Sequence, residues 1–429
     1  MKSFTLLPPG TSHRRRLWKM PTSRITPTTD LHPLLPLYLV IFIAFIGYSM
    51  MVTLFVPMLM HPHGFLDESV VRSTRTIYVG ILLALYPLGQ FIGAPVIGSL
   101  SDRYGRKRVL SISLVVTIFF YVVITYSLQI QSLWLLMGAC FLAGLSESNV
   151  AISQSAIADA SSPDDRGRLF AYLYAAMSLG YITGPLVGGQ IALHYGYAPP
   201  FWIVVGLLII TYIWIMVSFC DTFKPDTSKA IDYFKAFTNL ATVFTDLPIR
   251  RVYLVNFLLF LSTYGFWRVI QIYMVDKWNF NVGQVTFYYS YLAVTAGISN
   301  TFLFAPLSKK LGLKWLIIST AVVGGLFILA IVVPSSEMSY WFTAGPASLL
   351  LAMTVAGCGT YLSTLVGPER QGRVLGNNLA LQVGAESHGA LIGGFLAAIL
   401  IPLPLITSGA FAIIGGLLLI TYKKPIQAK

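Results

Sequence analysis

Four ionisable residues stand in stretches otherwise apolar enough to cross a bilayer: Glu147, Arg268, Glu386 and His388. A charge at membrane depth is expensive, so such a residue is a functional-site candidate by default. Glu147 sits mid-run among Ser146, Ser148, Asn149, Ser153 and Ser155. A carboxyl removed from water favours its neutral form, which suits it to bind and release a proton near neutral pH. Gly144, Ala151 and Gln154 share its face if the run is one helix. Its bland alternative is a structural Glu bonded to a neighbouring helix. Glu386 and His388 lie two apart and point to different sides of a helix. Glu386 shares a face with Gln382 and Asn378. Either residue is a second proton or substrate group, or a packing residue with its hydrogen bonds met. Arg268, beside Trp267 and Gln271, is expected by default to snorkel to the interface. Its other readings are a pair with Glu386 or Glu147, or a contact to an anionic substrate.

A second constellation is the run GSLSDRYGRKRVL, residues 98–110. It places an acid, Asp102, among Arg103, Arg106, Lys107 and Arg108 between two apolar runs. Asp102 can accept hydrogen bonds from these cations or from a helix N-terminus elsewhere in the chain. Such a contact would gate a rocking motion. A third is SLGYITGPLVGGQ, residues 178–190, in which Gly180, Gly184 and Gly188 recur every fourth residue and Pro185 and Gly189 follow the same pattern. Small residues at this spacing let helices approach closely, and the proline removes a backbone hydrogen bond and permits a bend.

These residues need elements to hold them. The chain has 429 residues, of which 56% are hydrophobic and only 10% charged, with mean hydropathy +0.73. Soluble domains carry roughly 25% charged residues, so this is an integral membrane protein. Twelve runs near the length a helix needs to span a bilayer fall at 36–60, 76–100, 108–129, 132–159, 168–193, 199–220, 252–275, 284–308, 314–334, 339–366, 374–400 and 402–422. The net charge of +13 is not a nucleic-acid footprint. Of 29 Lys and Arg, 25 lie in the tails or in loops that alternate to one side, and the opposite loops hold only Arg72, Arg75 and Lys277. By the positive-inside rule both termini and the central loop are expected in the cytoplasm.

The longest hydrophilic gap, 221–251, carries Lys224, Asp226, Lys229, Asp232 and Lys235 and divides the chain. The expected organisation is a cytoplasmic tail (1–35), a six-helix bundle (36–220), a cytoplasmic loop (221–251), a second six-helix bundle (252–422) and a short tail (423–429). The tail at 1–35 is Arg- and Ser/Thr-rich, which weakly resembles a transit peptide, although a disordered tail is the preferred reading. The halves repeat. At a shift of 207, Leu100, Ser101, Gly105 and Lys107 match Leu307, Ser308, Gly312 and Lys314, while Lys309 replaces the acid. At a shift of 205, PDDRGR (163–168) meets PERQGR (368–373), and Gly184, Gly188 and Gly189 meet Gly389, Gly393 and Gly394. Parallel repeats place a transport site at their interface near the midplane.

Gly98, Asp102, Arg103, Gly105, Arg106 and Lys107 resemble the loop signature of the major facilitator superfamily, and the glycine motif resembles that of its exporters. With both, the spanning region is similar to the twelve-span proton-coupled drug exporters, the tetracycline exporters among them. The resemblance implies an all-α membrane fold of twelve helices in two pseudo-symmetric six-helix bundles, alternating access, and a role for Asp102 and its basic neighbours in stabilising the outward-facing state. Two positions depart. The exporters' span 1 acid is Tyr48 here, aligned on Pro57, and their span 4 arginine is Cys140, aligned on Gly144. Proton antiport therefore needs a replacement group, which Glu147 supplies.

No phosphate-cradling loop, nucleophile elbow or metal cluster occurs, and Cys140, Cys220 and Cys358 show no ligand or disulfide spacing. No enzyme, cofactor or metal is expected, and energy comes from an ion or solute gradient. Tyr264, Trp267, Tyr288, Tyr289 and Tyr361 are candidate cavity walls suited to amphipathic cations, or belong to interfacial belts. The expected function is proton-coupled export of a small amphipathic solute (a drug, metabolite or siderophore-like molecule) from a bacterial inner membrane, with Glu147 as proton carrier and Glu386 or His388 assisting. The runner-up is import of a nutrient or iron chelate, and a receptor that kept the fold is a third possibility. Partners are then a small-molecule substrate, protons and lipid, with no nucleic acid, and a monomer is expected.

Overall fold

The computed structural model describes residues 34–62, 64–147, 149–161, 165–219, 221, 235–333 and 336–422. The two predicted tails except for residues 34 and 35, Ser148, positions 163–164, Cys220, Lys224, Asp226, Lys229 and Asp232 lie outside the described residues. Regular structure is helical throughout, with no strand among the described residues. The first half comprises α1 (Leu35–Met60), α2 (Arg72–Tyr104), α3 (Arg106–Gln129), α4 (Leu133–Ser146), α5 (Asn149–Ala160), α6 (Arg166–Tyr195) and α7 (Ala198–Ser218). The second comprises α8 (Lys235–Thr245), α9 (Leu247–Trp278), α10 (Val282–Ile298), a π-turn (Ser299–Leu303), α11 (Phe304–Leu311), α12 (Leu313–Val332), α13 (Ser339–Ser363), α14 (Pro368–Ile399) and α15 (Leu403–Ile420).

Ten helical segments among the described residues are long and apolar enough to cross a membrane: α1, α2, α3, α4 with α5, α6, α7, α9, α12, α13 and α15. The other two predicted spans are helical too. The one expected at 284–308 is divided by the π-turn into α10 and α11, and α14 is diluted by Asn377, Asn378, Gln382, Glu386 and His388. The structure differs from the sequence reading in two places. The predicted hydrophilic gap 221–251 contains α8, whose Val243 is buried against Ile249 and Tyr253. The span expected at 132–159 is two helices, broken at Glu147.

The repeat is visible in matched details. Gly105 and Gly312, with φ of +97° and +77°, each end one helix and begin the next, a backbone conformation that glycine adopts at little cost. Their N–H groups donate to the Ser101 and Ser308 carbonyls at 3.1 and 3.0 Å. Lys107 Nζ donates to the Met216 carbonyl near the end of α7, and Lys314 Nζ to the Ile420 and Tyr422 carbonyls at the end of α15. The cation thus meets the negative end of a helix dipole in both copies.

Within each half the helices pack as α1 on α6, α2 on α4 and α3 on α7, and as α9 on α14 and α15 and α12 on α13 and α15. Between halves, α2 packs on α14 and α6 on α10. Lipid tails supply no hydrophobic drive between helices, so close approach of small residues matters. A Cβ on Gly80 of α2 would lie 2.7 Å from Gly394 Cα of α14. A Cβ on Gly189 of α6 would overlap Thr286 of α10. Gly189 and Gly394 are the same position in the two copies, so one repeated glycine makes both seams.

Among the described residues, polar and backbone contacts cross the seam between the middle of the helices and the end opposite the basic loops. They include Arg72 with Asp276, the Thr76 and Gly80 backbone with Gly394, Ser387 Oγ to the Ala84 carbonyl (3.0 Å), and Ser290 Oγ to the Ile182 carbonyl (3.3 Å). Towards the basic end, a Cβ on Gly98 of α2 or on Gly376 of α14 would meet nothing within 4 Å. Among the described residues, the close backbone approaches between the halves lie at the far end. The far end is braced locally by Arg75, which is buried and donates to the carbonyls of Leu59, His61, Pro62, Asp67 and Val70. Gly80→Val should wedge the seam and destabilise the protein by about 1–3 kcal/mol, whereas Gly376→Ala should be neutral or slightly stabilising. Thermal midpoints of the purified variants check this, and equal midpoints would contradict the seam.

Candidate substrate and proton site

Span 4 breaks where its acid stands. Glu147 ends α4 with φ −87° and ψ 68°, and its own N–H still bonds the Ala143 carbonyl at 2.9 Å. A broken helix leaves carbonyls without partners, and Ser113 of α3 donates to the Ser146 carbonyl at 2.5 Å. Asn149, first in α5, donates to Thr117 Oγ1 at 3.4 Å. The Glu147 side chain is buried at 2% exposure; Oε2 accepts from the Tyr86 hydroxyl and Oε1 has no partner. The continuous stripe expected to carry Glu147 through Ala151 to Gln154 does not form, because the helix ends between them. Gln154 is half-buried on α5.

Tyr86 stacks on Tyr48 of α1, with ring centroids 5.1 Å apart. The Tyr48 hydroxyl donates to Glu386 Oε1 of α14 at 2.5 Å and accepts from Arg268 Nη2 of α9. Arg268 also forms an ion pair with Glu386 and lies over the Tyr48 ring, 5.0 Å from its centroid. Contrary to the default expectation, Arg268 does not snorkel. It is 2% exposed, held within the bundle by an acid and a tyrosine from two other helices. Its Nη1 and both amide atoms of Gln271, one turn along α9, have no partner. A cavity of about 10 Å³, roughly one water in size, is lined by Tyr48, Tyr86, Cys140 and Arg268. Cys140 therefore borders the space the Arg268 side chain reaches.

His388 is not in this cluster. It is exposed, with Nδ1 2.7 Å from the Gly384 carbonyl of its own helix, because two residues along a helix turn the side chain away from Glu386. Of the aromatic candidates, Tyr264 bonds Gln382 (2.6 Å) and Trp267 meets Tyr289 (centroids 5.1 Å), both beside the cluster. Tyr288 packs instead among Tyr340 and Trp341 towards the far end, and Tyr361 is half-buried beside the cluster around Tyr253 and Tyr422. Sequence reasoning treated Tyr48 only as a lost acid and passed over Tyr86. A tyrosine in each of two spans offered no periodic or charge signal.

The glycine motif serves packing. Added Cβ atoms on Gly180 and Gly184 would strike the Phe42 and Ile46 carbonyls of α1, and one on Gly188 would strike the Met50 side chain. Pro185 lies inside α6 beside them. The basic loop is a network within the first half. Arg106 is buried, bonding Asp102 Oδ1 (2.6 Å), Ser101 Oγ (2.6 Å) and Asp159 Oδ2 (3.1 Å). Arg103 lies 5.6 Å from the Tyr104 ring centroid, and the Lys107 N–H donates to Asp221 at 2.9 Å. Gly98 faces open space and Gly105 makes the turn.

The family model for the Major Facilitator Superfamily matches residues 37–249 and 252–429. The chain belongs to the major facilitator superfamily. Its relatives include the class B tetracycline resistance protein of Escherichia coli, 36% identical over 160 residues, which cover 37% of this chain and 38% of that protein. The class C tetracycline resistance protein of Escherichia coli is 26% identical over 77% of this chain and 82% of its own length. Multidrug resistance protein 2 of Bacillus subtilis (strain 168) is 23% identical over 90% and 94%. Among solved structures, the human organic anion transporter MFSD10 (TETRAN) superposes with TM-score 0.69 at 18% identity, over 91% of this chain and 100% of that chain. A bacterial homolog of the human lysosomal transporter Spinster, inward-facing and occupied, superposes with TM-score 0.70 at 14% identity, over 92% and 97%. These likenesses establish the fold of a multi-pass transporter. In this superfamily member, Arg106→Ala should strand two acids and lower the thermal midpoint more than Asp102→Asn does, because Asp102 is half exposed while Arg106 is enclosed. Equal losses would contradict the arrangement.

Proposed function

We propose that this protein exports a small amphipathic solute by alternating access, driven by proton antiport. Glu147 is the proton carrier in this reading, with Glu386 in support, and His388 has no part. The observation that carries it is Glu147 itself. The acid is enclosed where its helix breaks, with one oxygen bonded by Tyr86 and the other unpartnered. An unpaired buried carboxylate costs several kcal/mol, so this acid is neutral while enclosed and sheds its proton when water reaches it. The tetracycline and multidrug resistance proteins among its relatives favour export over import.

The basic end faces the cytoplasm by the positive-inside rule, with both tails and the central loop on that side, in a bacterial inner membrane. The present state, joined at the far end, is then inward-open. Residues 36–220 and 252–422 rock against each other as two bundles, and the protein works as a monomer. Asp102 with Arg106 steadies the basic end between states.

Everted vesicles containing the protein, energised and then challenged with lipophilic cations, weak acids and metal chelates, test the reading. One compound should release protons, and Glu147→Gln should abolish that release while the protein still inserts. Full proton release in Glu147→Gln would remove Glu147 from the role. Silence towards every compound, with folded protein present, would overturn antiport. Asp102→Asn should slow turnover with little change in half-saturating substrate concentration, and an unchanged rate would remove the gating role.

A further inference from the structure

Tyr48 of the first half touches the charge pair of the second. Its hydroxyl donates to Glu386 and accepts from Arg268, while its ring stacks on Tyr86, which holds Glu147. Tyr48 is 7% exposed, Arg268 2%, and both lie where the two halves still meet. With Glu386 ionised, the hydroxyl is held between a carboxylate and a guanidinium, so both of its hydrogen bonds are charge-assisted and the contact across the halves is strongest. A neutral carboxylic acid no longer pairs with the guanidinium, and it can donate as well as accept.

We propose that Tyr48 is a positioning residue that latches the far end shut in the empty, deprotonated carrier. This rests on the antiport reading above and deepens it. An exchanger must not change state when empty, because an empty return lets protons or substrate run downhill without exchange. Here the empty carrier is held by Tyr48, Arg268 and ionised Glu386. A proton on Glu386 breaks the ion pair and releases the first half. A substrate that engages the free Arg268 Nη1 and the unpartnered Gln271 amide competes for the same guanidinium and releases it too. Either ligand permits the transition, and neither being present forbids it.

Other titratable groups facing Glu386 are Tyr181 of α6, Tyr264 of α9 and Tyr289 of α10. These are neutral phenols at physiological pH, so Arg268 is the charge that the latch answers to. His388 on the same helix faces away. The Tyr48 ring fills its place independently of the hydroxyl, through Tyr86 and the edge of Tyr181. Removing the oxygen alone therefore leaves the packing.

The test uses protons as the only ligand. Purified wild type, Tyr48→Phe and Glu386→Gln are placed in proteoliposomes holding a pH-sensitive dye, and a proton gradient is imposed without substrate. A hydrogen bond to a charged group is worth enough to change a population roughly 10- to 100-fold. Tyr48→Phe should conduct protons faster than wild type by a factor in that range. In parallel, spin labels introduced as unnatural amino acids at exposed Val71 and Leu400, on opposite halves at the far end, report opening. Wild type should open as pH falls, and Tyr48→Phe should lose most of that dependence. Glu386→Gln should be open at every pH. Wild-type leak together with wild-type pH dependence in Tyr48→Phe would overturn the latch. If Tyr48→Phe does not fold, Arg268→Lys replaces it, since the shorter side chain keeps the charge but withdraws the nitrogen that reaches both Tyr48 and Glu386; wild-type behaviour there would overturn the latch equally. Failure of the antiport reading is seen separately, as silence of wild type towards the compound panel, with the far-end labels still free to score the latch.

Discussion

An ion enclosed in an apolar bundle must be met by a partner, and the helices that bring that partner are thereby constrained. Arg268 and Glu386 lie on α9 and α14, which pack together within the second half, so their pairing alone would tie nothing across the seam. The tyrosine hydroxyl from α1 makes the pair a contact between halves. Separating the bundles at this depth leaves an ion pair short of a hydrogen bond in a medium that offers no substitute until water enters. The cluster therefore couples a buried ion pair of one half to a side chain of the other. The glycine seams lie beyond it, towards the far end.

Those seams hold the halves together at one end of the helices. Gly80 against Gly394 and Gly189 against Thr286 bring backbones together on the far side of the cluster, on two opposite flanks. Nothing comparable holds α2 and α14 at Gly98 and Gly376. Arg72 with Asp276 closes the far rim. Two of the three far-loop cations in the sequence are thus accounted for: Arg75 braces its own loop, and Arg72 bridges the halves. They depart from the charge asymmetry of the loops because each has a fixed acceptor.

Much of the fold was legible because its signals are periodic or repeated. The twelve apolar runs, the glycines at every fourth residue, and the two copies of the Gly-Lys turn need no partner to be recognised. The site was legible only in part. Glu147, Arg268 and Glu386 stood out as charges in apolar runs, but which of them meet depends on helix rotation and crossing, which no spacing encodes. Arg268 is expected at the interface because it lies towards the outer end of its span, and only packing against α1 and α14 encloses it. Gln154 was grouped with Glu147 by assuming an unbroken helix. The Ser- and Asn-rich run that suggested a polar span instead supplies hydrogen bonds, such as Asn149 to Thr117, around a break.

Duplication makes a symmetric scaffold, and the chemistry resides where the copies differ. Gly105 and Gly312, Lys107 and Lys314, and Gly189 and Gly394 do the same work twice. Asp102, bonded to Arg106, has only Lys309 as its counterpart. At the shift of 205 that aligns α6 with α14, Glu386 falls on Tyr181, which packs its ring edge against Tyr48. One copy thus presents a neutral aromatic to the seam and the other an acid, both converging on the same tyrosine. A perfectly symmetric pair of acids there would repel and hold the halves apart. With a single acid, its arginine and a shared hydroxyl, the two bundles can close on each other without leaving a buried charge unmatched.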